Sequence, residues 1–450
     1  MPMFLNFFLI PLIATLVFIA ALYPYALKIG FTDKPCHRKQ HKNPTPLIGG
    51  LAIYLSILVT LLSNNNPLAN QSAFISAITL LVFVGLIDDY KGLGVKIRMV
   101  AQIAAGLIMA EYADIKINSL GNLLGFGGIS LGIYATTFTV FAVVGGINAF
   151  NMIDGIDGLA GSLTLISISS LAMVAWMGND SVLFSYCLVF VACILAFLSM
   201  NLRIFGRTSA KIFLGDTGST LFGFTVCWLA IDASQGENEL ITPSTVLWIM
   251  ALPLFDSVCI MLRRIRKGRS PFNPDREHLH HIFNIAGYSN NFTLILILIS
   301  SIALSVIGLI ASRYLGAQEP ILFWSFIGIF ASHYWLMTHS WKIMKISRYL
   351  RVTKVLDRRV ENQRKSEDRR SGVERRYIPS GHDLEEFYRS SGGLMSDLLG
   401  QRLQKNGAID RRSVRNIFKS RQKVSVNKRF VDDRRRIITG QSSVSHSKEK

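Results

Sequence analysis

Long apolar stretches alternate with shorter polar segments along the first 340 of the 450 residues. A helix that crosses about 30 Å of hydrocarbon needs roughly 20 predominantly apolar residues. About eleven stretches meet this requirement, so the pattern predicts an all-α, polytopic integral membrane protein with about 11 transmembrane helices. We place them near residues 3–27, 47–63, 72–87, 97–113, 131–150, 159–178, 181–200, 217–232, 241–262, 292–312 and 320–339.

Lysine and arginine residues are distributed unevenly among the connecting loops. When the loops are assigned alternately to two sides, seventeen cations fall on one side, and only Lys116 and Arg313 fall on the other. Because cytoplasmic loops retain Lys and Arg, this asymmetry predicts an N-terminus outside the cell and a C-terminal tail in the cytoplasm. The long polar loops on the cytoplasmic side are where we expect the functional residues.

The loops predicted to lie outside are short and mostly neutral. The exception is the segment 114–130, in which apolar and polar residues alternate around Gly121 and the run Gly125 to Gly128. This pattern predicts a small β-hairpin.

The formal net charge of +19 suggests a nucleic-acid-binding protein, but its distribution argues against one. Residues 341–450 hold 29 Lys and Arg against 13 Asp and Glu, whereas residues 1–340 hold 19 against 16. We therefore predict no nucleic-acid partner, a transmembrane domain at 1–340 and a basic, largely disordered cytoplasmic tail at 341–450. The composition of the tail suits a solvated segment and a docking segment for an acidic partner equally well.

Two adjacent carboxylates, Asp88 and Asp89, end the third apolar stretch. Neighbouring aspartates repel each other unless a proton or a cation lies between them, so the pair suits a magnesium site or a general base. A solvated helix terminus is the alternative explanation.

Asparagine and aspartate recur at every third position between the fifth and sixth stretches, at Asn148, Asn151, Asp154 and Asp157. A regular α-helix would bring at most about three of them to one face, whereas a 3₁₀-like turn would align all four. Such a stripe suits a nucleobase, a ribose or a metal-bound diphosphate. Capping of the following helix is the alternative, although it would use only one of the four.

The third candidate segment contains Asp216, which is flanked by glycines at the start of the eighth stretch. Glycines allow a ligand to approach the backbone, and a helix start presents N–H groups to anions. Asp216 could equally cap this helix. Asp256 lies within the ninth stretch, where an ionisable residue is usually functional or paired, but a structural link to a neighbouring helix is equally compatible.

Two basic loops complete the candidate site. One carries Lys42, and the other runs from five cations near Arg263 through Arg276 to three histidines, His278, His280 and His281. Either loop could bind phosphate. Attraction to any anionic headgroup explains the Lys42 loop equally well, and the cations near Arg263 are partly the ordinary positive charge of a cytoplasmic loop. A zinc site is less favoured for the histidines because no cysteine is nearby and the HExxH spacing is absent.

Carboxylates, cations and histidines at one membrane face indicate phosphoryl transfer to or from a lipid, which requires positioned phosphates and a neutralising metal. The chain contains neither a Walker loop nor a GxGxxG turn, so an ATPase and a dinucleotide enzyme are not indicated. A transporter is the alternative from another class, but it would place its charges near the middle of the membrane.

Five segments, taken in order, resemble the polyprenyl-phosphate N-acetylhexosamine 1-phosphate transferase family, and within it the undecaprenyl-phosphate N-acetylglucosaminyl branch. They are Asp33-Lys34-Pro35 to Gly50, Asp88-Asp89-Tyr90, Asn148 to Gly161, Phe213-Leu214-Gly215-Asp216-Thr217-Gly218-Ser219 and His278-Leu279-His280-His281. The resemblance implies transfer of a sugar 1-phosphate from a UDP-N-acetylhexosamine to undecaprenyl phosphate, with release of UMP, at the bacterial inner membrane. Its product would be the first membrane intermediate of O-antigen or another surface glycan.

The resemblance also implies a role for each matching residue. It assigns catalysis to Asp88, Asp89 and His280, and metal binding, by Mg²⁺ or alternatively Mn²⁺, to Asp216 and Asp157. It assigns substrate binding to Lys42, Asn148, Asn151, Asp154, Arg276, His278 and His281. Whether the reaction is a direct displacement or passes through a phospho-aspartate stays open, as do a homodimer and a partner of the tail.

Leu279 interrupts the histidines, which are consecutive in the family branch that uses UDP-muramyl-pentapeptide. This difference favours an N-acetylhexosamine donor, with N-acetylglucosamine first. An N-acetylated dideoxy sugar of the fucosamine or quinovosamine type is the alternative.

Overall fold

The structure is a computed structural model, and it describes residues 4–33, 44–64, 68–203, 207, 209–235, 239–268, 270, 278–285, 287–316 and 318–339. Contacts divide the chain into Met1–Ser340 and Trp341–Lys450, and every described residue belongs to the first of these units. The division of the chain into a membrane domain and a disordered tail stays a prediction, because the second unit lies outside the described residues.

The described part of the chain is mostly helical. Its helices, numbered here in chain order, are α1 (Leu5–Ile29), α2 (Gly49–Leu62), α3 (Gln71–Lys91), α4 (Val95–Leu107), α5 (Ala135–Ile153), α6 (Leu159–Met177), α7 (Ser181–Asn201), α8 (Gly215–Ser234), α9 (Pro243–Ile249), α10 (Ala251–Arg266), α11 (Leu279–Ile285), α12 (Asn290–Arg313) and α13 (Glu319–His339). Helical structure therefore occurs at each of the eleven predicted positions, and α11 is an additional short helix within a predicted loop.

Seven of these helices are long and apolar enough to cross a membrane, or eight if α9 and α10 together form one bent span. α2 is apolar but has only 14 residues. A polytopic all-α membrane protein is thus confirmed, while the number of eleven spans and the orientation of the termini stay predictions. The mean hydropathy of +0.35 for the whole chain includes the polar C-terminal region.

The predicted ninth span is not straight, because α9 and α10 meet at an angle of 83°. Pro253 has no N–H to donate to the carbonyl of Ile249, four residues earlier. The hydroxyls of Ser167 and Ser305 lie 3.2 Å and 3.5 Å from this carbonyl oxygen and donate to it instead. Neighbouring helices thereby satisfy the backbone group that the bend releases.

Glycines allow α2, α3 and α8 to approach very closely near the start of α8. A Cβ atom on Gly50 would lie 2.3 Å from the backbone nitrogen of Gly218, and one on Gly85 would lie 2.6 Å from Cα of Thr217. Small residues are the usual means by which helices in membranes pack backbone against backbone. This packing fixes the start of α8 beside the end of α3, where the candidate carboxylates lie.

Two short β elements accompany the helices. Thr32–Asp33 (β1) pairs in antiparallel fashion with Thr45–Pro46 (β2), which closes the base of the basic loop that carries Lys42. In the segment 114–130, the N–H of Leu120 donates to the carbonyl of Ile129 at 2.9 Å, and the N–H of Ile129 donates to the carbonyl of Gly121 at 3.0 Å. Ser119 and Ser130 form an isolated antiparallel β-bridge. The predicted hairpin is therefore confirmed.

Candidate active site

The start of α8 is capped by a residue of another helix. The backbone N–H of Asp216 donates to Oδ1 of Asp89 at 2.7 Å, and the N–H and hydroxyl of Thr217 donate to Oδ2 of Asp89 at 3.1 Å and 2.6 Å. No side chain of α8 itself caps this end. The alternative in which Asp216 caps the helix is therefore wrong, because Asp89 at the end of α3 has that function.

Gly215 makes this cap sterically feasible. Its backbone has φ of +76°, and a Cβ atom at this position would lie 2.5 Å from Oδ2 of Asp89. Positive φ is costly for residues with a side chain. Both requirements explain the glycine that precedes Asp216.

Asp88 is buried and faces a different partner. Its Oδ1 accepts from the N–H of Leu93 at 2.6 Å, and its Oδ2 accepts from Nη1 of Arg98 at 3.1 Å. The same Nη1 lies 3.9 Å from Oδ2 of Asp216. Arg98 therefore links two of the candidate carboxylates, and it is not among the predicted site residues.

A sequence signal for Arg98 did exist. The residue lies in the first turn of α4, which begins at Val95. The positive end of the helix dipole disfavours a cation there. An arginine in this position therefore indicates a specific anionic partner, which the structure identifies as the carboxylate pair Asp88 and Asp216.

The stripe of asparagine and aspartate divides among several partners. α5 remains α-helical to Ile153, so the 3₁₀ turn that would have aligned all four residues does not form. The side-chain amide of Asn148 donates to Gln102 on α4 at 2.7 Å, and that of Asn151 donates to Asp216 at 2.6 Å. In a regular α-helix, positions three residues apart differ by about 60° around the helix axis, so Asn148 and Asn151 face different neighbours.

None of these four residues provides the cap of α6 that was considered as an alternative. The backbone N–H of Gly158, at the start of α6, donates to Oδ1 of Asn201 on α7 at 2.6 Å. Asp157 is paired with Nε of Arg203 at 2.6 Å and accepts from the N–H of Ala210 at 3.2 Å. The role of Asp157 as a metal ligand therefore stays a prediction. A metal ion bound there would compete with Arg203 for the carboxylate.

The end of α3, the segment that follows α5 and the start of α8 line a cavity of about 470 Å³, together with residues of α7, α11 and α12. Six of its sixteen lining residues are aspartates, and the wall also contains Arg203, Asn201, Asn284 and Asn290. The carboxylates come from Asp33, Asp88, Asp89, Asp154, Asp157 and Asp216. The structure thus brings together five of the predicted residues, while Asn148 is not among the lining residues and Asn151 contacts the cavity wall through Asp216.

Asp154 differs from the other carboxylates because no described residue donates a hydrogen bond to its side chain. Its side chain is exposed to the cavity, and the surrounding protein atoms reduce its contact with water. This desolvation, together with the negative charges of Asp216, Asp157 and Asp89, raises its pKa to about 7. A cation bound in the cavity would relieve this repulsion.

The donor set of the cavity suits magnesium. Within the described ranges, no three Asp, Glu, His or Cys side chains converge to form a metal site by themselves. Mg²⁺ nevertheless binds commonly through one or two carboxylates, with water and substrate phosphates completing its shell. The unbonded oxygens of Asp154 and the carboxylate of Asp216 provide such ligands.

The predicted histidine segment is only partly described. His278 is buried, and its Nδ1 lies 2.9 Å from Oδ2 of Asp256 on α10. Asp256 thus links α10 to the start of α11, through His278 and the backbone of Leu279. Lys42 and Arg276 lie outside the described residues, as do the side chains of His280 and His281.

Comparison with known proteins places the chain in a family. The family model for glycosyl transferase family 4 matches residues 72–234. An undecaprenyl-phosphate alpha-N-acetylglucosaminyl 1-phosphate transferase from Escherichia coli (strain K12) is 37% identical over 331 residues, which cover 74% of this chain and 90% of that protein. The chain belongs to glycosyl transferase family 4.

Two further family members support this assignment. Proteins with the same description are 38% identical over 352 residues in Salmonella typhi and 35% identical over 328 residues in Haemophilus influenzae. These alignments cover 78% and 73% of this chain and 94% and 92% of the relatives. The resemblance drawn from the five sequence segments is therefore confirmed.

Proposed function

We propose that the protein transfers N-acetylglucosamine 1-phosphate from UDP-N-acetylglucosamine to undecaprenyl phosphate. An oxygen of the lipid phosphate would form a bond to the sugar-bearing phosphorus, and the bond between that phosphorus and the bridging oxygen of the donor diphosphate would break. UMP would leave with the bridging oxygen, and the lipid would carry a diphosphate sugar. Phosphorus, oxygen and charge are conserved in this exchange.

The identity of 35–38% to transferases with this description, over most of the chain, carries the proposal. The cavity supports it, because six carboxylates are an unusual lining unless cations or phosphate-bound metal enter. The descriptions of the relatives favour N-acetylglucosamine over a fucosamine or quinovosamine donor. They also favour an enzyme over a transporter.

We assign Mg²⁺ binding to Asp216 and Asp154, with Asp157 as the ligand predicted from the sequence. A bound Mg²⁺ ion, or Mn²⁺ in its place, would supply positive charge that offsets the negative charge of the donor diphosphate. Asn151 donates to Asp216 at 2.6 Å and to Ser219 at 2.8 Å, and it thereby orients the carboxylate.

We assign different roles to the two adjacent carboxylates. Asp89 accepts three hydrogen bonds from α8 and would position Asp216 rather than react. Asp88 and Arg98 would lie near the lipid phosphate, where the guanidinium group can exchange a carboxylate for a phosphate oxygen. Asp88 is then the candidate base for the catalytic step.

We further propose that the protein lies in the bacterial inner membrane with the cavity on the cytoplasmic side. UDP-sugars are cytoplasmic, and the seventeen cations of the predicted cytoplasmic loops lie on the side of the candidate residues. The partners would be a UDP-N-acetylhexosamine, undecaprenyl phosphate and membrane lipid.

Release of UMP by the purified full-length protein in detergent tests the proposal. We expect release only when UDP-N-acetylglucosamine, undecaprenyl phosphate and Mg²⁺ are all present, and we expect EDTA to abolish it. The variant Asp114→Asn is a matched control, because its side chain is 82% exposed on the predicted outer side. Absence of a lipid product from UDP-N-acetylglucosamine, with product from another UDP-N-acetylhexosamine, would contradict the donor assignment.

Trapping experiments distinguish direct displacement from a covalent path. Incubation with radiolabelled donor in the absence of the lipid would leave labelled phosphosugar on an aspartate if a phospho-aspartate forms. Because both oxygens of Asp88 and Asp89 already accept hydrogen bonds, we expect no label on the protein. Stable label on Asp88 would overturn this expectation.

A further inference from the structure

Asp256 is a buried carboxylate on α10 that the proposed chemistry does not use. It has no exposed surface, and it lies on the same helix as Ser257, which donates to the carbonyl of Ala149 at 3.3 Å. A carboxylate in such an environment is costly unless donors satisfy both oxygens. Its partners therefore indicate why the chain keeps it there.

Both oxygens of Asp256 bind the beginning of α11. Oδ2 lies 2.9 Å from Nδ1 of His278, and Oδ1 accepts from the backbone N–H of Leu279 at 2.9 Å. An ionised carboxylate can only accept, so the imidazole donates. One side chain of α10 thus fixes a side chain and the backbone at the residues where α11 starts.

α11 extends from this attachment to the cavity. Asn284, near the end of α11, lines the cavity together with Asn290 at the start of α12. Oδ1 of Asn284 is buried and has no hydrogen-bond partner among the residues that the structure describes. A buried acceptor without a partner is unfavourable, and a ligand that donates to it would remove the cost.

We propose that Asp256 is a positioning residue that anchors α11 so that Asn284 contacts the sugar nucleotide in the cavity. A carboxamide pairs with the hydroxyl and amide groups of a nucleoside or an N-acetylated sugar, whereas the carboxylates opposite suit a metal-bound diphosphate. Asn284 is accordingly a substrate-binding residue, and Asp256 acts through it. This inference rests on the proposed function.

Separate Michaelis constants for the two substrates test the inference. We expect Asn284→Ala to raise KM for UDP-N-acetylglucosamine about tenfold, as for the loss of one well-placed hydrogen bond. KM for undecaprenyl phosphate should not change. The thermal midpoint should stay equal or rise, because the variant removes an unsatisfied acceptor, whereas a purely structural asparagine would lower it.

Variants of the anchor provide a graded test. Asp256→Ala should raise the same KM at least as much as Asn284→Ala. Asp256→Asn should restore most of it, because a carboxamide can accept from Leu279 and donate to the other tautomer of His278. Ser257→Ala is the matched control, since it removes a neighbouring buried hydrogen bond of α10 without touching α11. If Asp256→Ala does not fold, His278→Gln tests the same anchor.

The outcomes separate this inference from the proposed function. A wild-type protein without donor-dependent UMP release contradicts the proposed function. An active wild-type protein in which Asn284→Ala leaves KM for UDP-N-acetylglucosamine unchanged overturns the inference alone. Equal effects of Asp256→Ala and Ser257→Ala on KM, with parallel losses of thermal stability, would show that Asp256 is merely structural and would also overturn it.

Discussion

At the scale of single residues, adjacent carboxylates that look equivalent in the sequence have different surroundings. Asp89 receives the N–H groups of α8, and Asp88 receives a backbone N–H and the Arg98 guanidinium group. Identical neighbours in the chain project from a helix about 100° apart. Substitutions at the two positions should therefore have separable consequences.

We expect Asp88→Asn, Asp89→Asn and Asp216→Asn each to reduce turnover by orders of magnitude, but only Asp89→Asn to reduce thermal stability clearly. Asparagine at position 89 can accept fewer of the N–H groups of α8, and loss of a helix cap costs about 1 kcal/mol. UMP release and thermal unfolding in detergent measure the two effects. Near-normal rates in all three variants would refute the site.

Asp154 provides a prediction for the dependence of stability on pH. Its carboxyl has a native pKa of about 7 against a usual value of 3.8, so the native state holds more protons than the unfolded state between these pH values. The free energy of unfolding should therefore fall as the pH rises from about 4 to 7. Asp154→Asn should remove this loss and be the more stable protein at pH 8, but not at pH 4.

Thermal unfolding without divalent cations measures this difference, and added Mg²⁺ at pH 8 should stabilise the wild type more than Asp154→Asn. The same substitution at Asp114, whose side chain is exposed, is the control for the removal of a carboxylate. A constant difference between Asp154→Asn and the wild type across this pH range would be inconsistent with the raised pKa.

At the scale of elements, the position of the start of α8 depends on close contacts between backbones. α2 and α3 approach it at Gly50 and Gly85, where a Cβ atom would meet backbone atoms of α8. Backbone atoms cannot move aside as the end of a flexible side chain can. The geometry of Asp216 and its cap therefore depends on glycines that lie outside the cavity wall.

We expect Gly50→Ala to destabilise the protein by about 1–3 kcal/mol, the usual cost of overpacking, and to lower activity in parallel. Gly145→Ala on α5 is the matched control, because nothing lies within 4 Å of the added methyl group. Thermal unfolding and UMP release measure both variants. Equal stability of the two variants would show that the close approach of α2 and α8 is not needed.

The bend between α9 and α10 shows how neighbouring elements modify a local pattern. The apolar stretch 241–262 predicts one span, and Pro253 lies within it. Whether a proline bends a helix depends on what satisfies the released carbonyl, and here Ser167 on α6 and Ser305 on α12 do so. Neither serine is near Pro253 in the sequence.

At the scale of the whole molecule, the asymmetry of the loop cations predicts the orientation in the membrane. Phe126 is exposed at the hairpin 114–130, and Lys96 is exposed at the start of α4. Four of the five cysteines are buried, so only Cys36 is replaced by serine to remove background labelling. In this Cys36→Ser background, a membrane-impermeant maleimide added to intact cells with a permeabilised outer envelope should label Phe126→Cys but not Lys96→Cys. Lysed membranes should label both. The opposite pattern in intact cells would reverse the predicted orientation.

The tail provides the last prediction. Because its cations lie outside the aligned family segments, deletion of the residues after about 360 should leave transferase activity in detergent unchanged. Specific activity of the truncated and full-length proteins, measured side by side, tests this division. Loss of chemistry in the truncated protein would place part of the active site in the tail.

The sequence by itself determined the class of the protein, the helical stretches and the five segments that carry its family membership. These properties are local, since apolar length and short motifs can be read without knowledge of their neighbours. It also identified the carboxylates of the cavity, except Asp33, from their adjacency, their regular spacing and their flanking glycines, together with the resemblance to the family.

Only the tertiary structure decided which donor group each carboxylate contacts. The cap of α8 by Asp89, the link of Arg98 to Asp88 and Asp216, and the anchor of α11 by Asp256 join residues that are 10 to 128 positions apart in the chain. Hydrogen bonds are directional and act over about 3 Å, so they depend on how helices rotate and pack against one another. That arrangement is a property of the folded molecule.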